Sequence, residues 1–420
     1  MSAGFHDLYL ATLSPTESAT LALCRQRSPS TSEKHGADDY ASGSNRPALN
    51  KRKTVLNVRI LHVLNHVRNS GNGIVNVTTD LACLQAQMGH RVGVVSEGGG
   101  NEDLFMRYGV VHFTVNQRRD PRHLLAAMVS LRRVFREFDP DIVHAQMMTG
   151  LVLAKVLQPI ARYKLVSTVH NEFQRGAVVM GAADRVIAVS SAVARAMRRK
   201  GTPQRKLRVV LNGTLGTPRR RPLREYAALA LEKPAITTLA GLYARKGISD
   251  LIEAFASVAE HHPTAHLYIV GEGPDRRIFE RQAAQMRNRD RIHFVGFVPD
   301  PERYLLATDV FVLASRADPA PLVLPEARQA GCAIVATAVD GIPELLDNGA
   351  AGLLVPPGQP AAIARELERL LADPELLAHW RRRALENVER LQAKRVAEET
   401  SEVYRELIGV DESLGADLDK

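Results

Sequence analysis

The chain has 420 residues, 45% of them hydrophobic, and a net charge of +9, a length that calls for about two domains rather than one core. Three cysteines, Cys24, Cys83 and Cys332, form no C-x-x-C pair, which excludes a disulfide framework, argues against a zinc site and fits a reducing compartment. Apolar runs fall short of the roughly 18 residues a membrane span needs, the N-terminus lacks the charge and apolar pattern of a secretion signal, and aromatics at 5% do not interleave with the basic clusters, so a membrane-spanning, exported or nucleic-acid-stacking protein is not expected.

Residues 1–53 are rich in Ser, Thr, Ala and charge without a sustained period, which predicts a disordered extension. The texture then changes. VRILHVLN (58–65) has the length and character of a buried strand, SGNG (70–73) of a turn, 74–88 of a helix, and RVGVVS (91–96) of a second strand. Strand, turn, helix, strand is a parallel unit, because parallel neighbours need a crossover. After a helix near 123–137 come DIVHAQ (141–146), KLVSTVH (164–170), RVIAVS (185–190) and LRVVLN (207–212), about six strands in all, enough for one doubly wound sheet over 54–215. The basic clusters QRRDPRH (117–123), LRRVFRE (131–137), RAMRRKGTPQRKLR (195–208) and RRRPLR (219–224) all fall in the first part of the chain. They predict attraction to an anionic membrane surface or an anionic substrate.

GTLGTPRRRP (213–222) breaks the alternation and marks a linker. The pattern restarts with AITTLAG (235–241), HLYIVG (266–271), RIHFVG (291–296), DVFVLAS (309–315), CAIVAT (332–337) and GLLVP (352–356), predicting a second parallel-sheet domain over 216–390, with 391–420 as a closing helix and short tail. The fold class is therefore α/β, two Rossmann-like domains. Ligands of such sheets lie beyond the carboxyl ends of the strands, so the loops there are where chemistry belongs.

Asp318 follows DVFVLAS, and Glu326 lies eight residues on, with Pro321 and Pro325 suited to a helix start between them. Two acids at a helix N-terminus beside a crevice suit a ligand that is anionic at one end and rich in hydroxyls at the other. AGLYARKG (240–247) supplies the opposite charge, since Arg245 and Lys246 sit between a strand and a helix and can reach phosphate oxygens. Read alone, each pair is equally compatible with helix capping and helix starting. DPD (139–141) spells D-x-D but immediately precedes a strand; it reads as a turn rather than a metal ligand.

The segments GHRVGVVS, DPDIVHAQ, TVHNEF, ADRVIAVSSAVARAM, VVLNGT, LYARKGISDLIEAF, LYIVGEGPDR, HFVGFVPD, TDVFVLAS, PEARQAGCAIVATAVDGIPELL and GLLVPPG occur in this order between 58 and 407. In that order and spacing the chain resembles the retaining, nucleotide-sugar-dependent glycosyltransferases of family four, whose fold is GT-B. The resemblance implies that Glu326 binds the donor ribose and that Asp318 lies beside the donor sugar. It also implies that Lys246, with Arg245, binds the diphosphate, that Gly71, Gly73 and Leu322 line the donor, and that His170 and His144 face the acceptor side. Asp318, His170 and Lys246 are the expected catalytic residues, with no metal ion and no cofactor required. Four positions depart from the family pattern. Asp318 stands where Glu is usual, Pro319 where Gly is frequent, and Leu242 where Arg is common, while Gln146 replaces a frequent second histidine.

The expected activity is transfer of a sugar from a UDP-, GDP- or ADP-sugar to a glycan or lipid-linked acceptor with retained configuration, in cell-surface polysaccharide or lipopolysaccharide synthesis. Its expected location is the cytoplasm, peripherally at the inner face of the membrane. A carboxylate-pair hydrolase, a nucleotide-sugar epimerase of the same fold and a non-catalytic sugar-nucleotide binder remain alternatives; acceptor-free turnover would mark the epimerase, and tight donor binding without transfer the binder.

Overall fold

The computed structural model describes residues 57–68, 71–118, 120–174 and 176–409; the extension expected over 1–53, Ser70 of the SGNG turn and the tail beyond 409 lie outside the described residues. No described helix is long and apolar enough to cross a membrane.

The first lobe is a seven-stranded sheet of β1 (Arg59–Val63), β2 (Arg91–Ser96), β3 (Val111–Thr114), β4 (Ile142–Ala145), β5 (Lys164–Val169), β6 (Arg185–Ala188) and β7 (Leu207–Val209), in the spatial order β3-β2-β1-β4-β5-β6-β7. The second is six-stranded: β8 (Ala235–Leu239), β9 (His266–Val270), β10 (Ile292–Gly296), β11 (Val310–Leu313), β12 (Ala333–Thr337) and β13 (Leu353–Val355), in the order β10-β9-β8-β11-β12-β13. Every pairing is parallel. Central strands such as β4 and β11 are buried throughout, as strands covered on both faces by crossover helices must be. β3 is the strand that apolar patterning misses. It is a four-residue edge strand with both ends exposed, so nothing forces an apolar run onto it.

In each lobe the strand order reverses at one point, between β1 and β4 and between β8 and β11. Loops leaving adjacent strands there diverge to opposite faces and open a crevice. The Gly71–Gly73 turn follows β1, Gln146 follows β4 and His170 follows β5, while Lys246 follows β8, Asp318 follows β11 and Asp340 follows β12. Both switch points thus carry residues singled out from the sequence.

The chain crosses between lobes twice, and the crossings run side by side. Leu215 N–H donates to the Leu391 carbonyl at 3.1 Å, and Ala393 N–H to the Leu215 carbonyl at 2.9 Å. The last helix, Ala393–Ile408, returns onto Gly73–Gln87 of the first lobe, where Val396, Ala397, Val403 and Tyr404 are buried. One apolar cluster spans both lobes, joining Leu61, Val143 and Leu165 to Leu324, Ile334 and Leu345. Cys83 and Cys332 are buried free thiols, with burial raising each to about 12; they are small core residues.

Candidate active site between the lobes

Lys246 and Asp318 meet. The Lys246 Nζ lies 2.5 Å from Asp318 Oδ2, and Ser315 Oγ donates to the same oxygen at 3.3 Å. Asp318 is 5% exposed, so this carboxylate is paired in a nearly dry setting, where Coulomb attraction is strong. Two further contacts hold its loop. Asp318 N–H donates to Asp340 Oδ2 at 2.7 Å, and Arg245 Nη1 donates to the Ala317 carbonyl at 3.1 Å. The lysine loop comes this close because Gly247 has φ +65° and any Cβ there would stand 1.9 Å from the Ala314 carbonyl oxygen. Only glycine permits both the left-handed backbone and the approach. Leu242, in the same loop, is 1% exposed in the second-lobe core, so Arg245 and Lys246 are the cations this loop presents.

Glu326 sits in the short helix Val323–Gln329. Its surroundings differ from those of Asp318. Desolvation, reinforced by Glu302 and Asp80 and opposed by Arg219 and Arg220, pushes it up to about 7. Its carboxylate makes no hydrogen bond among the described residues. Across the gap, Asn72 caps the helix Gly73–Gln87 by accepting from Ile74 N–H at 3.0 Å. A methyl group at Gly73 would meet Leu322 at 3.6 Å, and one at Gly71 would meet Phe297 at 3.7 Å. The glycine turn of the first lobe therefore faces Leu322 and Phe297 of the second.

Arg219 was read from the sequence only as part of a basic cluster. It forms a bidentate pair with Asp80, at 2.8 and 2.9 Å, and Thr217 Oγ1 donates to Asp80 at 2.5 Å. Desolvation raises Asp80 above the usual carboxylate range while Arg219 opposes it. This linker arginine fastens the first-lobe helix at the level of Glu326, and no spacing rule in the sequence announces it.

The two histidines part company. His170 Nε2 lies 2.8 Å from Gln146 Oε1, Gln146 Nε2 lies 3.3 Å from His62 Nδ1, His62 Nε2 lies 2.8 Å from Gln85 Oε1, and Gln85 Nε2 donates to Ser401 Oγ at 3.3 Å. Amide oxygens only accept and amide NH2 groups only donate, so every proton in this row is assigned. His170 carries its proton on Nε2 and keeps Nδ1 as an acceptor. Desolvation lowers His170 to about 4, and desolvation does the same to His62, opposed by its bond to Gln85; both are neutral near pH 7. Gln146, an expected departure from the family pattern, and His62 are the support of His170 that sequence reading missed.

His144 is the correction. It was expected to face the acceptor side, yet it is 0% exposed. Its Nδ1 lies 2.6 Å from the Tyr404 hydroxyl and its Nε2 lies 2.7 Å from Thr168 Oγ1. Both ring nitrogens are used, one by the returning C-terminal helix and one by the neighbouring strand β5. DPD is likewise structural: Asp139 and Asp141 both pair with Arg59 at the start of β1.

One more acid borders the site. Glu172, two residues past His170, is 5% exposed, and its Oε2 has no hydrogen-bond partner among the described residues. Desolvation raises it, and the Asp340 charge adds to that. An apolar-run reading passes over it because it follows β5 in an irregular loop.

Two Rossmann-like lobes with loop clusters facing across a double crossing define the GT-B architecture. The chain belongs to the group 1 glycosyltransferases: residues 220–387 match the family described as Glycosyl transferases group 1, and residues 71–214 match Glycosyltransferase Family 4. It is 25% identical to N-acetyl-alpha-D-glucosaminyl L-malate synthase of Bacillus anthracis, over 82% of this chain and 96% of that protein. It is 30% identical to the lipopolysaccharide core biosynthesis glycosyltransferase LpsE of Rhizobium meliloti, over 41% of this chain and 50% of that one. Among solved structures, Anabaena HepE in complex with UDP-glucose superposes with a TM-score of 0.71 at 20% identity, covering 83% of this chain and all of that one. Sucrose-phosphate synthase from Thermosynechococcus elongatus does so with 0.70 at 21%, covering 84% and 99%.

Proposed function

We propose that the gap binds a nucleoside-diphosphate sugar and transfers its sugar, with retained anomeric configuration and without a metal ion, to a glycan or lipid-linked acceptor in cell-surface polysaccharide synthesis. The observation that carries this reading is the close Lys246–Asp318 pair at one switch point together with the unbonded carboxylate of Glu326 on the adjoining helix. HepE, solved with UDP-glucose, and LpsE, named for lipopolysaccharide core biosynthesis, support the donor and pathway classes.

The roles follow from the charges. Breaking the anomeric bond builds negative charge on the leaving diphosphate and positive character on the sugar. Lys246, aimed by Asp318, has further N–H donors for phosphate oxygens, and Arg245 adds a second cation; fixed donors of this kind stabilise developing charge without reorganising. Asp318 stands beside Lys246 to offset the positive character of the sugar. Glu326, once ionised, accepts hydrogen bonds from ribose hydroxyls. His170 presents Nδ1 as an acceptor for a sugar hydroxyl. The leaving phosphate oxygen takes the acceptor proton on the same face.

The acceptor reading rests on the first lobe. The helices Pro121–Phe138 and Met148–Leu157 pack together and expose Leu125, Val129, Val152 and Val156, with Arg122, Arg132, Arg133 and Arg136 exposed on the former. Apolar side chains rimmed by arginines suit an anionic bilayer surface. We assign the protein to the inner face of the cytoplasmic membrane on that basis. Flotation with vesicles containing phosphatidylglycerol, but not with phosphatidylcholine alone, is the expected outcome.

A thermal-shift panel of UDP-, GDP- and ADP-sugars tests the donor site, because a ligand that binds only the folded chain raises Tm. One nucleotide class should raise Tm, and both Lys246→Ala and Glu326→Ala should abolish the rise. If both variants keep it, the donor lies elsewhere. Turnover of the donor without any acceptor would instead identify an epimerase.

A further inference from the structure

His266 opens β9, and His293 is the second residue of the neighbouring edge strand β10, in register with Tyr268. The imidazoles lie nearly parallel, 13° apart, with His266 Nδ1 and His293 Nε2 3.0 Å from each other. Tyr268 stacks on His293 at 4.7 Å between ring centres, and its hydroxyl accepts from Glu232 N–H at 3.0 Å. Glu232 Oε2 reaches His266 Nε2 at 2.8 Å. One ligand atom from each of Glu232, His266 and His293 lies within 4.8 Å of the others. Desolvation lowers His293, and the neighbouring His266 adds to that.

We propose that Glu232, His266 and His293 form a binding site for a borderline transition-metal dication of the Zn2+ type, one per chain, separate from the sugar-transfer gap. Three features converge. Two imidazoles and a carboxylate are a donor set for Zn2+, Co2+, Ni2+ or Cu2+ and a poor one for Mg2+ or Ca2+, which want all-oxygen shells. Tetrahedral metal–nitrogen bonds of about 2.0–2.1 Å put ligand atoms roughly 3.3 Å apart, close to the separation of the two ring nitrogens. Ring stacking holds both imidazoles in place, while the Glu232 side chain is 70% exposed and free to swing from the His266 Nε2 edge to close the set. A solvent water completes the fourth position. The proton now shared between His266 Nδ1 and His293 Nε2 leaves to solvent as the ion enters.

The site sits at the amino ends of β9 and β10, whereas the transfer gap lies at the carboxyl ends of the second-lobe strands, about 15 Å away along a five-residue strand. It takes no part in transfer. Glu232 belongs to the segment that leads from the interlobe linker into β8, so a bound ion clamps that segment onto the sheet edge.

Titration of the full chain with CoCl2 tests the proposal directly, because tetrahedral Co2+ gives a visible absorption band that octahedral aqueous Co2+ lacks. The expected result is a band saturating at one Co2+ per chain and displaced by ZnCl2, together with a rise in Tm on adding ZnCl2 but not MgCl2. Glu232→Gln, a change at an exposed position that cannot disrupt the core, should weaken Co2+ binding at least tenfold. The double variant His266→Asn/His293→Asn should lose the band. No tetrahedral band in the wild type, or one of equal strength and affinity in Glu232→Gln and in the double variant, overturns the proposal. Asp318→Asn should leave the Co2+ titration unchanged, so the metal site and the transfer site fail or stand independently.

Discussion

Three acidic or basic groups of the site owe their charge state to burial rather than to their identity. Glu326 is held at about 7 against a usual 4.5, so between those values the folded chain keeps a proton that the unfolded chain has released. Stability from this group is therefore lost as pH rises from 4.5 to 7, by about 2 kcal/mol once its partial exposure is allowed for. Glu326→Gln should match the wild type near pH 5 and exceed it at pH 7.5 in urea unfolding; equal stability at both pH values would contradict the assignment. His62 and His170, both at about 4, work in the other direction. The unfolded chain protonates them below about 6.5 while the fold does not, so each withdraws about 2 kcal/mol between pH 6.5 and 5. Gln146 joins the two rings, and Gln146→Leu leaves the His170 Nε2–H and the His62 Nδ1 lone pair buried without partners. That should cost about 2–3 kcal/mol in unfolding free energy. Lys246, Arg245 and Asp318 were legible as opposite charges in loops that leave strands, and Glu326 as an acid near the start of the helix that follows. Gln146 and His62 were not, since a neutral amide and a strand histidine look like filler until the chain folds them into one row.

At the level of elements, the loop Ala240–Gly247 shows how one residue sets a whole segment. Gly247→Ala forces a Cβ against the Ala314 carbonyl in a left-handed backbone, which should cost about 2–4 kcal/mol and displace Lys246 from Asp318. The expected reading is a lower Tm together with loss of the donor-induced shift. Helix and strand positions were largely visible, because central parallel strands must be apolar along their length and crossover helices must follow them. β3 escaped, being short, at the edge and open at both ends. The helix carrying Glu326 spans Val323–Gln329, with Pro325 inside its first turn, so the proline marks the start of the element without fixing its first residue.

For the whole molecule, the interlobe linker is fastened to the first lobe by the pair of Arg219 and Asp80, with side chains 11% and 5% exposed. Removing the cation with Arg219→Ala strands the Asp80 carboxylate and should cost about 3–5 kcal/mol, while Asp80→Asn in the same chain should recover much of it. A double-mutant cycle by urea unfolding measures the coupling; additive losses would mean that the pair does not fasten the linker. Residue order along the chain already specified two alternating α/β halves and the charged loops, because periodicity and loop chemistry are local properties carried by neighbouring residues. Which of those residues meet is another matter. The contact of Tyr404 in the C-terminal helix with His144, which turns that histidine from a ligand candidate into a core residue, the row of hydrogen bonds from His170 to Ser401, and the grip of Arg219 on Asp80 join residues up to several hundred positions apart. Such contacts exist only once the sheets have stacked and the chain has crossed back, and no local pattern encodes them.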